Sequence, residues 1–251
     1  MIQNSGIKIA LVVCMANLSI ACAVITNNSE ADQPYLTVSH PGKYKLEYFP
    51  PSKEFPNYLR AKVDGREILV TENVQSPSAQ SLYLLTHWKI AEGETVLDIG
   101  TGSGVQAIFA ADKASSVLAT DISAEAVEVA KLNVQHHGLG KKIEVRQGDL
   151  FAPVNKDEKF DVILFNIAYP YNDETQGLWK VHERFFAEAD KYLKPGGRIY
   201  YQSGLIDNIP KIKSLVDKYA WNILSIRMDA ALKVARFPIV YMIQRTNDLR
   251  L

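Results

Sequence analysis

Three closely spaced glycines directly after a short apolar run constrain the fold of this chain more than any other feature. The run Val-Leu-Asp-Ile covers residues 96–99, the glycines are Gly100, Gly102 and Gly104, and an apolar segment starts at Gln106. This order predicts a buried β-strand, a tight turn and a helix whose N-terminus faces a bound ligand. A tight strand-to-helix turn without a ligand is the alternative.

From residue 95 onward, short apolar runs alternate with segments of helical periodicity. Strands are predicted over residues 96–99, 117–120, 143–146, 160–165, 198–201, 221–228 and 237–244. Helices are predicted from residue 106, over residues 125–134, over residues 179–193 up to a Lys-Pro-Gly-Gly stop at 194–197, and over residues 209–219. Such alternation is typical of parallel strands with crossover helices. We therefore expect a three-layer α/β/α sandwich whose last two strands could pair antiparallel.

A second, smaller region precedes this pattern. It carries several strand-like runs, and its clearest hairpin signal is Asp64-Gly65 between two of them. A helix predicted over residues 79–88 then opens the main domain. The predicted organisation is a linker over residues 27–34, a β-rich N-terminal extension over residues 35–75 and the main domain over residues 76–251.

Residues 1–26 have the order of charge and hydropathy expected of an export signal. After Lys8, an apolar segment runs from Ile9 to Ile25, and the small residues Ala21-Cys22-Ala23 within it resemble a cleavage site. We expect a signal peptide, a lipoprotein signal, or a membrane anchor formed by residues 8–25. An ordinary N-terminal helix or a misassigned start codon is the alternative. The protein is exported or membrane-attached if the signal is real, and cytoplasmic if the start is misassigned.

The composition suits a globular domain. With 47% hydrophobic and 22% charged residues and a formal net charge of zero, the chain is far from the composition of disordered segments. A neutral chain has no long-range attraction for polyanions, so nucleic acid ranks below a protein or small molecule as a partner. His136 and His137 have no Cys, Asp or Glu at metal-ligand spacing beside them, so no metal site is expected.

The spacing of the glycines separates two kinds of cofactor turn. Dinucleotide-binding turns need glycine or alanine at the position of Val105, whereas the spacing here is G-x-G-x-G with Asp98 before it. This pattern favours a turn in which the backbone, including Thr101, approaches the cofactor and the helix N-terminus faces a carboxylate. Asp121, at the end of the second strand, could accept both hydroxyls of a ribose or simply cap the next helix.

Two further polar positions follow later strands. After the third strand, Asp149 could accept the amino group of an adenine while the backbone amide of Leu150 meets a ring nitrogen. After the fourth strand, Asn166 and Tyr169 lie in a short segment that also contains Pro170. As loop residues alone, these positions could equally be turn residues or pack on the end of the sheet.

In this order, the motifs resemble the class I S-adenosylmethionine-dependent methyltransferases from about residue 95 to residue 244. The stretch 160–171 is similar to the fourth-strand motif of the small-domain group, which includes release-factor glutamine methyltransferases and several base-amine methyltransferases. Those enzymes carry Asn-Pro-Pro-Tyr where this chain has Asn166-Ile-Ala-Tyr169, so both ends are kept and both prolines are lost. The resemblance implies a Rossmann-like fold with a mostly parallel seven-stranded sheet, an antiparallel last strand, and S-adenosylmethionine as the cofactor.

The resemblance also implies roles for the candidate residues. Catalysis would use the Asn166 side-chain oxygen and the Ile167 carbonyl to accept N–H hydrogens of the acceptor, while the Tyr169 ring stacks on a planar amide or base. The acceptor would be an amide or amine nitrogen of a protein or small molecule. A non-catalytic protein that keeps the fold, or an NAD-linked oxidoreductase, is the alternative. The expected cofactor-binding residues are Asp98, Gly100, Thr101, Gly102, Gly104, Asp121, Ile122, Asp149, Leu150 and Asn166.

Overall fold

The structure, a computed structural model, describes residues 22–25, 36–39, 44–228, 238–246 and 248. In these residues the strands form two sheets. The strands are β1 (Cys22–Ile25), β2 (Leu36–Ser39), β3 (Lys45–Phe49), β4 (Leu59–Val63), β5 (Arg66–Val70), β6 (Thr95–Ile99), β7 (Ser116–Asp121), β8 (Ile143–Gln147), β9 (Phe160–Phe165), β10 (Leu193–Ser203), β11 (Trp221–Met228) and β12 (Ile239–Arg245). The α-helices are α1 (Ala79–His87), α2 (Val105–Ala110), α3 (Ala124–His136), α4 (Trp179–Glu188) and α5 (Ile209–Lys218), and 3-10 helices cover Asp173–Leu178, Ala189–Tyr192 and Ile206–Asn208.

The larger sheet has seven strands in the order β11-β12-β10-β9-β6-β7-β8. The strands from β10 to β8 run parallel, and β12 is antiparallel to both of its neighbours. Side chains from α1, α2 and α3 pack on one face of the sheet, and side chains from α4 and α5 pack on the other. The expected three-layer α/β/α sandwich with an antiparallel last strand is therefore confirmed.

The central strand β9 shows why the sheet forms where the sequence predicts it. Five of its six residues, from Phe160 to Phe165, are apolar, and alternate side chains enter the two cores: Leu164 on one face and Phe165 on the other. A strand that is covered on both faces needs such a continuous apolar run. Register pairs Ile99 of β6 and Tyr201 of β10 with Phe165. The carboxyl ends of β6, β9 and β10 therefore lie in one row.

The smaller sheet is antiparallel, with its five strands in chain order from β1 to β5. The predicted hairpin lies between β4 and β5, where Asp64 and Gly65 both have positive φ, as a two-residue type I′ turn requires. Leu46 and Ile68 of this sheet belong to the same buried core as α1, α2 and α3. The strands of the N-terminal extension are thus packed against the larger sheet's helices, while the division predicted at residue 75 stays a prediction about domain organisation.

One predicted element is wrong in its extent. The helix expected over residues 179–193 ends at Glu188, a 3-10 helix follows, and Leu193 begins β10. The Lys-Pro-Gly-Gly segment is not a turn after a helix but an irregular part of β10, where the register with β9 shifts. The reason is tertiary, because the carbonyl oxygens of Leu193 and Lys194 accept hydrogen bonds from Arg245, which is distant in the sequence.

The N-terminal predictions fall mostly outside the described residues. Of the predicted signal or anchor over residues 1–26, the structure describes only β1, which pairs antiparallel with β2. The linker predicted over residues 27–34 also lies outside the described residues. Within the part of the chain that the structure describes, no helix combines the length and apolar character needed to cross a membrane. The export signal and the localisation stay predictions.

Candidate active site

The glycine-rich turn after β6 has the backbone geometry that the sequence predicts. Gly100, Gly102 and Gly104 all have positive φ, between 55° and 83°. The N–H groups of Gly100 and Thr101 both donate to the carbonyl of Thr120, over 2.8 and 2.9 Å, which ties the turn to the end of β7. Positive φ values are unfavourable for residues that have a Cβ atom, so glycine is strongly favoured here.

Gly100 is also required for steric reasons. A Cβ atom on Gly100 would lie 2.2 Å from Cγ2 of Ile167, which belongs to the segment after β9. The predicted acceptor segment therefore packs directly on the predicted cofactor turn. This contact joins the two halves of the candidate site.

Asp98 lies beneath the turn and is 1% exposed. Its Oδ2 atom accepts a hydrogen bond of 2.6 Å from the hydroxyl of Thr101. Burial raises the pKa of Asp98 to about 7, and the nearby charge of Asp121 pushes the pKa in the same direction. A positive charge bound close to this buried carboxyl group would stabilise its ionised form and lower its pKa.

Asp121 bridges the turn and the next helix. Its Oδ2 atom accepts from the N–H of Gly102 and its Oδ1 atom accepts from the N–H of Ser123, both over 2.9 Å. The side chain that caps α3 belongs to Ser123, which accepts from the N–H of Ala126. Ile122 beside it is 67% exposed, which is unusual for a large apolar side chain and leaves an uncovered apolar surface at this edge.

Asp149 and Leu150 lie at the end of β8, next to Asp121 in the row of strand ends. The Asp149 carboxylate accepts a hydrogen bond of 2.9 Å from Arg184, and both side chains are about half exposed. The Leu150 side chain is buried in the core, and its φ of 48° is rare for a residue other than glycine. The predicted adenine-binding role thus rests on the backbone of Leu150 and on a carboxylate that already has a partner.

Asn166 directly follows β9, between the glycine turn and the end of β10, and it is half-buried. The Tyr169 hydroxyl accepts a hydrogen bond of 2.6 Å from the amide of Gln80 in α1. A Cβ atom on Gly204 would lie 1.6 Å from this hydroxyl, so the phenol tip is seated against the chain after β10. Among the candidate site residues, direct hydrogen bonds join Thr101 to Asp98 and Gly102 to Asp121, while Gly100 and Thr101 both bond to Thr120. The segment that contains Asn166 and Tyr169 contacts this turn through Ile167.

Two buried polar residues of this region have no signal in the sequence. His182 in α4 contacts the carbonyl of Ala168, and Asn133 in α3 bonds to the backbone of Leu69 and Ser103. Both were indistinguishable from ordinary polar positions of amphipathic helices, and only their full burial identifies them. Within the described residues there is no group of three metal-ligating side chains that could hold an ion.

Comparisons with known proteins find similar methyltransferases. A family profile described as the methyltransferase small domain matches residues 76–205, which is just over half of the chain. The release factor glutamine methyltransferase of Clostridium acetobutylicum is 28% identical over 208 residues, covering 71% of this chain and 73% of that protein. The ribosomal protein uL3 glutamine methyltransferase of Bradyrhizobium diazoefficiens is 36% identical over 146 residues, covering 50% of this chain and 43% of that protein.

A solved structure has the same fold. The ribosomal protein L11 methylase of Lactobacillus delbrueckii subsp. bulgaricus superimposes with a TM-score of 0.54 at 28% identity, covering 66% of this chain and 76% of that one. The chain spans less than half the length of the uL3 enzyme and about three quarters of the other two relatives. All three relatives are methyltransferases, which favours that interpretation of the glycine turn over an oxidoreductase.

Proposed function

Because the chain belongs to the methyltransferase small domain family, we propose that it transfers a methyl group from S-adenosylmethionine to a side-chain amide nitrogen of a protein. When bound, S-adenosylmethionine supplies a methyl carbon that a nitrogen attacks in line as the carbon–sulfur bond breaks. The enzyme's task in such a reaction is to hold the nitrogen about 3 Å from the methyl group and to exclude water. The acceptor nitrogen loses one proton to solvent.

The residues at the glycine turn fit this cofactor. Asp98 is a buried carboxyl group with a raised pKa, and S-adenosylmethionine carries two positive charges, on its sulfonium and its α-amino group. The glycines leave the face of the turn without side chains, so a ligand can approach its backbone closely. Asp121, Ile122 and the end of β8 continue the same edge, where a ribose and an adenine would follow.

The segment after β9 fits the acceptor. Asn166 offers a side-chain oxygen and Ile167 a backbone carbonyl, and an amide nitrogen has two N–H hydrogens for such acceptors. This segment packs on the turn through Ile167 and Gly100, so the acceptor nitrogen would lie beside the methyl group. The contact between the two halves is the observation that carries the proposal.

The proposed acceptor is a glutamine side chain of a protein of the translation apparatus. Two of the relatives are described as acting on glutamine, in a release factor and in ribosomal protein uL3, and a third acts on ribosomal protein L11. Asn166 and Tyr169, which this chain shares with the motif of the glutamine enzymes, support a planar amide over other acceptors.

The test has two stages and uses the full chain. Calorimetric titration with S-adenosylmethionine, its demethylated product and NAD should give binding of the first two only. Methyl transfer is then measured by mass spectrometry on purified release factor, uL3 and L11. We expect methylation of a glutamine in one of them.

Two variants separate the proposed roles. Asp121→Ala should weaken cofactor binding by about tenfold or more, since two backbone contacts and the ribose contact are lost. Asn166→Ala should keep cofactor binding but lose turnover. Binding without any methyl transfer would favour a non-catalytic protein that keeps the cofactor site, and equal losses of binding in both variants would contradict the division of roles.

A further inference from the structure

The segment after β9 lacks the two prolines that would stiffen it, yet side chains from other elements hold it. Among the described residues, three consecutive positions of this segment are hydrogen-bonded by side chains distant in the sequence. His182 of α4 bonds to the carbonyl of Ala168, Gln80 of α1 to the hydroxyl of Tyr169, and Asn208 to the carbonyl of Pro170. The distances are 3.0, 2.6 and 2.8 Å, respectively.

His182 is the most buried of the three. It has no exposed surface, its Nε2 atom lies 3.0 Å from the Ala168 carbonyl, and its Nδ1 atom lies 2.7 Å from the Tyr201 hydroxyl. A carbonyl only accepts, so the proton is on Nε2 and the Tyr201 O–H donates to Nδ1. Burial lowers the pKa of His182 to about 4, so the ring is neutral at ordinary pH.

The Tyr201–His182 pair therefore acts as a rigid strut from the core of the sheet to the segment. Tyr201 lies in β10 and is fully buried among aromatic side chains, including Phe165 and Phe185. The strut ends on the Ala168 carbonyl, directly after the peptide unit whose carbonyl belongs to Ile167. Fixing Ala168 thus restricts the direction of the Ile167 carbonyl, which is one of the two proposed acceptors of the substrate N–H groups.

We infer that His182 is a positioning residue for the methyl acceptor, and that the Tyr201–His182 strut replaces the rigidity that prolines would give to residues 167 and 168. The inference rests on the proposed function. Proline restricts φ through its covalent ring, whereas the strut restricts the same segment through buried hydrogen bonds. The cofactor half of the site does not depend on the strut, because Asp98, Asp121 and the glycines are held by their own contacts.

The main test is a double-mutant cycle in the full chain. His182→Leu removes the Nε2–H donor at similar volume, and Ile167→Pro with Ala168→Pro restores covalent rigidity. We expect His182→Leu to lower kcat by about tenfold or more while the Kd for S-adenosylmethionine stays within about twofold. The loss of kcat caused by His182→Leu should be much smaller in the background that carries the two prolines than in the native background.

A conservative variant and a matched pair of tyrosines complete the test. His182→Gln keeps an N–H donor near the Nε2 position and should retain more kcat than His182→Leu. Tyr201→Phe removes the hydroxyl that fixes the histidine tautomer and should lower kcat. Tyr241→Phe removes a buried hydroxyl of the same core that has no hydrogen-bond partner among the described residues, and it should leave kcat unchanged.

Amide hydrogen exchange gives a readout that needs no acceptor. His182→Leu should speed exchange at residues 166, 169 and 171, and the two prolines should slow it again. Equal loss of cofactor affinity and kcat in His182→Leu, with no recovery by the prolines, would reduce His182 to a general structural role. If the native chain methylates none of the three proteins, the proposed function fails, but a change in exchange confined to this segment would still support the strut.

Discussion

Replacing Asp98 by asparagine should stabilise the protein without its cofactor, and the gain should depend on pH. Asp98 is buried, and its raised pKa means that the folded state binds the proton more tightly than the unfolded chain does. The folded state therefore loses stability as the pH rises from about 4 to about 7 and keeps that loss at higher pH. Asparagine keeps a similar shape and an oxygen for the Thr101 hydroxyl, but it carries no charge.

The magnitude follows from the two pKa values. With a folded-state pKa of about 7 and an unfolded-state pKa of about 3.9, the raised pKa of Asp98 lowers the free energy of unfolding, relative to acid pH, by roughly 4 kcal/mol at about pH 8 and by roughly 1.5 kcal/mol at about pH 5. The advantage of Asp98→Asn in free energy of unfolding should therefore grow by about 2.5 kcal/mol between these two pH values.

Urea denaturation of the native chain and the variant at both pH values, without cofactor, measures this difference. Asp161→Asn is a matched control on the neighbouring strand β9. Burial pushes the pKa of Asp161 upward, but hydrogen bonds from Lys194 and Thr95 outweigh it and hold the pKa below its ordinary value. Its contribution to stability is complete above the unfolded pKa, so the Asp161→Asn difference should stay constant from about pH 5 to about pH 8. An Asp98→Asn difference that also stays constant would refute the buried-charge argument.

Two further substitutions test the packing around the site. Asn133→Leu leaves the backbone groups of Leu69 and the carbonyl of Ser103 without their 2.8 Å hydrogen bonds. The free energy of unfolding, measured by urea denaturation, should therefore fall by roughly 3 kcal/mol or more. A loss below about 1 kcal/mol would show that solvent replaces these bonds. Gly204→Ala should displace the Tyr169 hydroxyl and lower methyl transfer by about tenfold while calorimetry shows unchanged cofactor binding. Gly140→Ala, where a Cβ atom meets nothing within 4 Å, is its control.

The sequence predicts the parts of this fold that depend on neighbouring residues. The glycine turn, the hairpin at Asp64-Gly65 and the buried strand β9 each follow from a local pattern, because a positive φ or a two-sided apolar strand needs particular residue types at fixed spacing. The order of the parallel strands then brings Asp121 and Asn166 to the same edge of the sheet. This part of the candidate site was predictable for that reason.

The remaining features depend on contacts between distant residues. The helix predicted over residues 179–193 is too long, because Leu193 begins a strand in which its carbonyl accepts a hydrogen bond from the distant Arg245. The hydrogen bonds of His182 to Ala168 and of Asp149 to Arg184 join residues whose types are common in helices and loops. No local pattern distinguishes these polar side chains from solvated ones, so their partners emerge only from the fold.

The two halves of the site therefore differ in how they are held. The proposed cofactor half is held by backbone groups: the N–H groups of Gly100 and Thr101 bond to the Thr120 carbonyl at the end of β7, and the glycines adopt positive φ. The acceptor half is fixed by side chains from α1, α4 and the chain after β10, which converge on residues 168–170. Substitutions in those elements can redirect the acceptor segment while the turn stays intact.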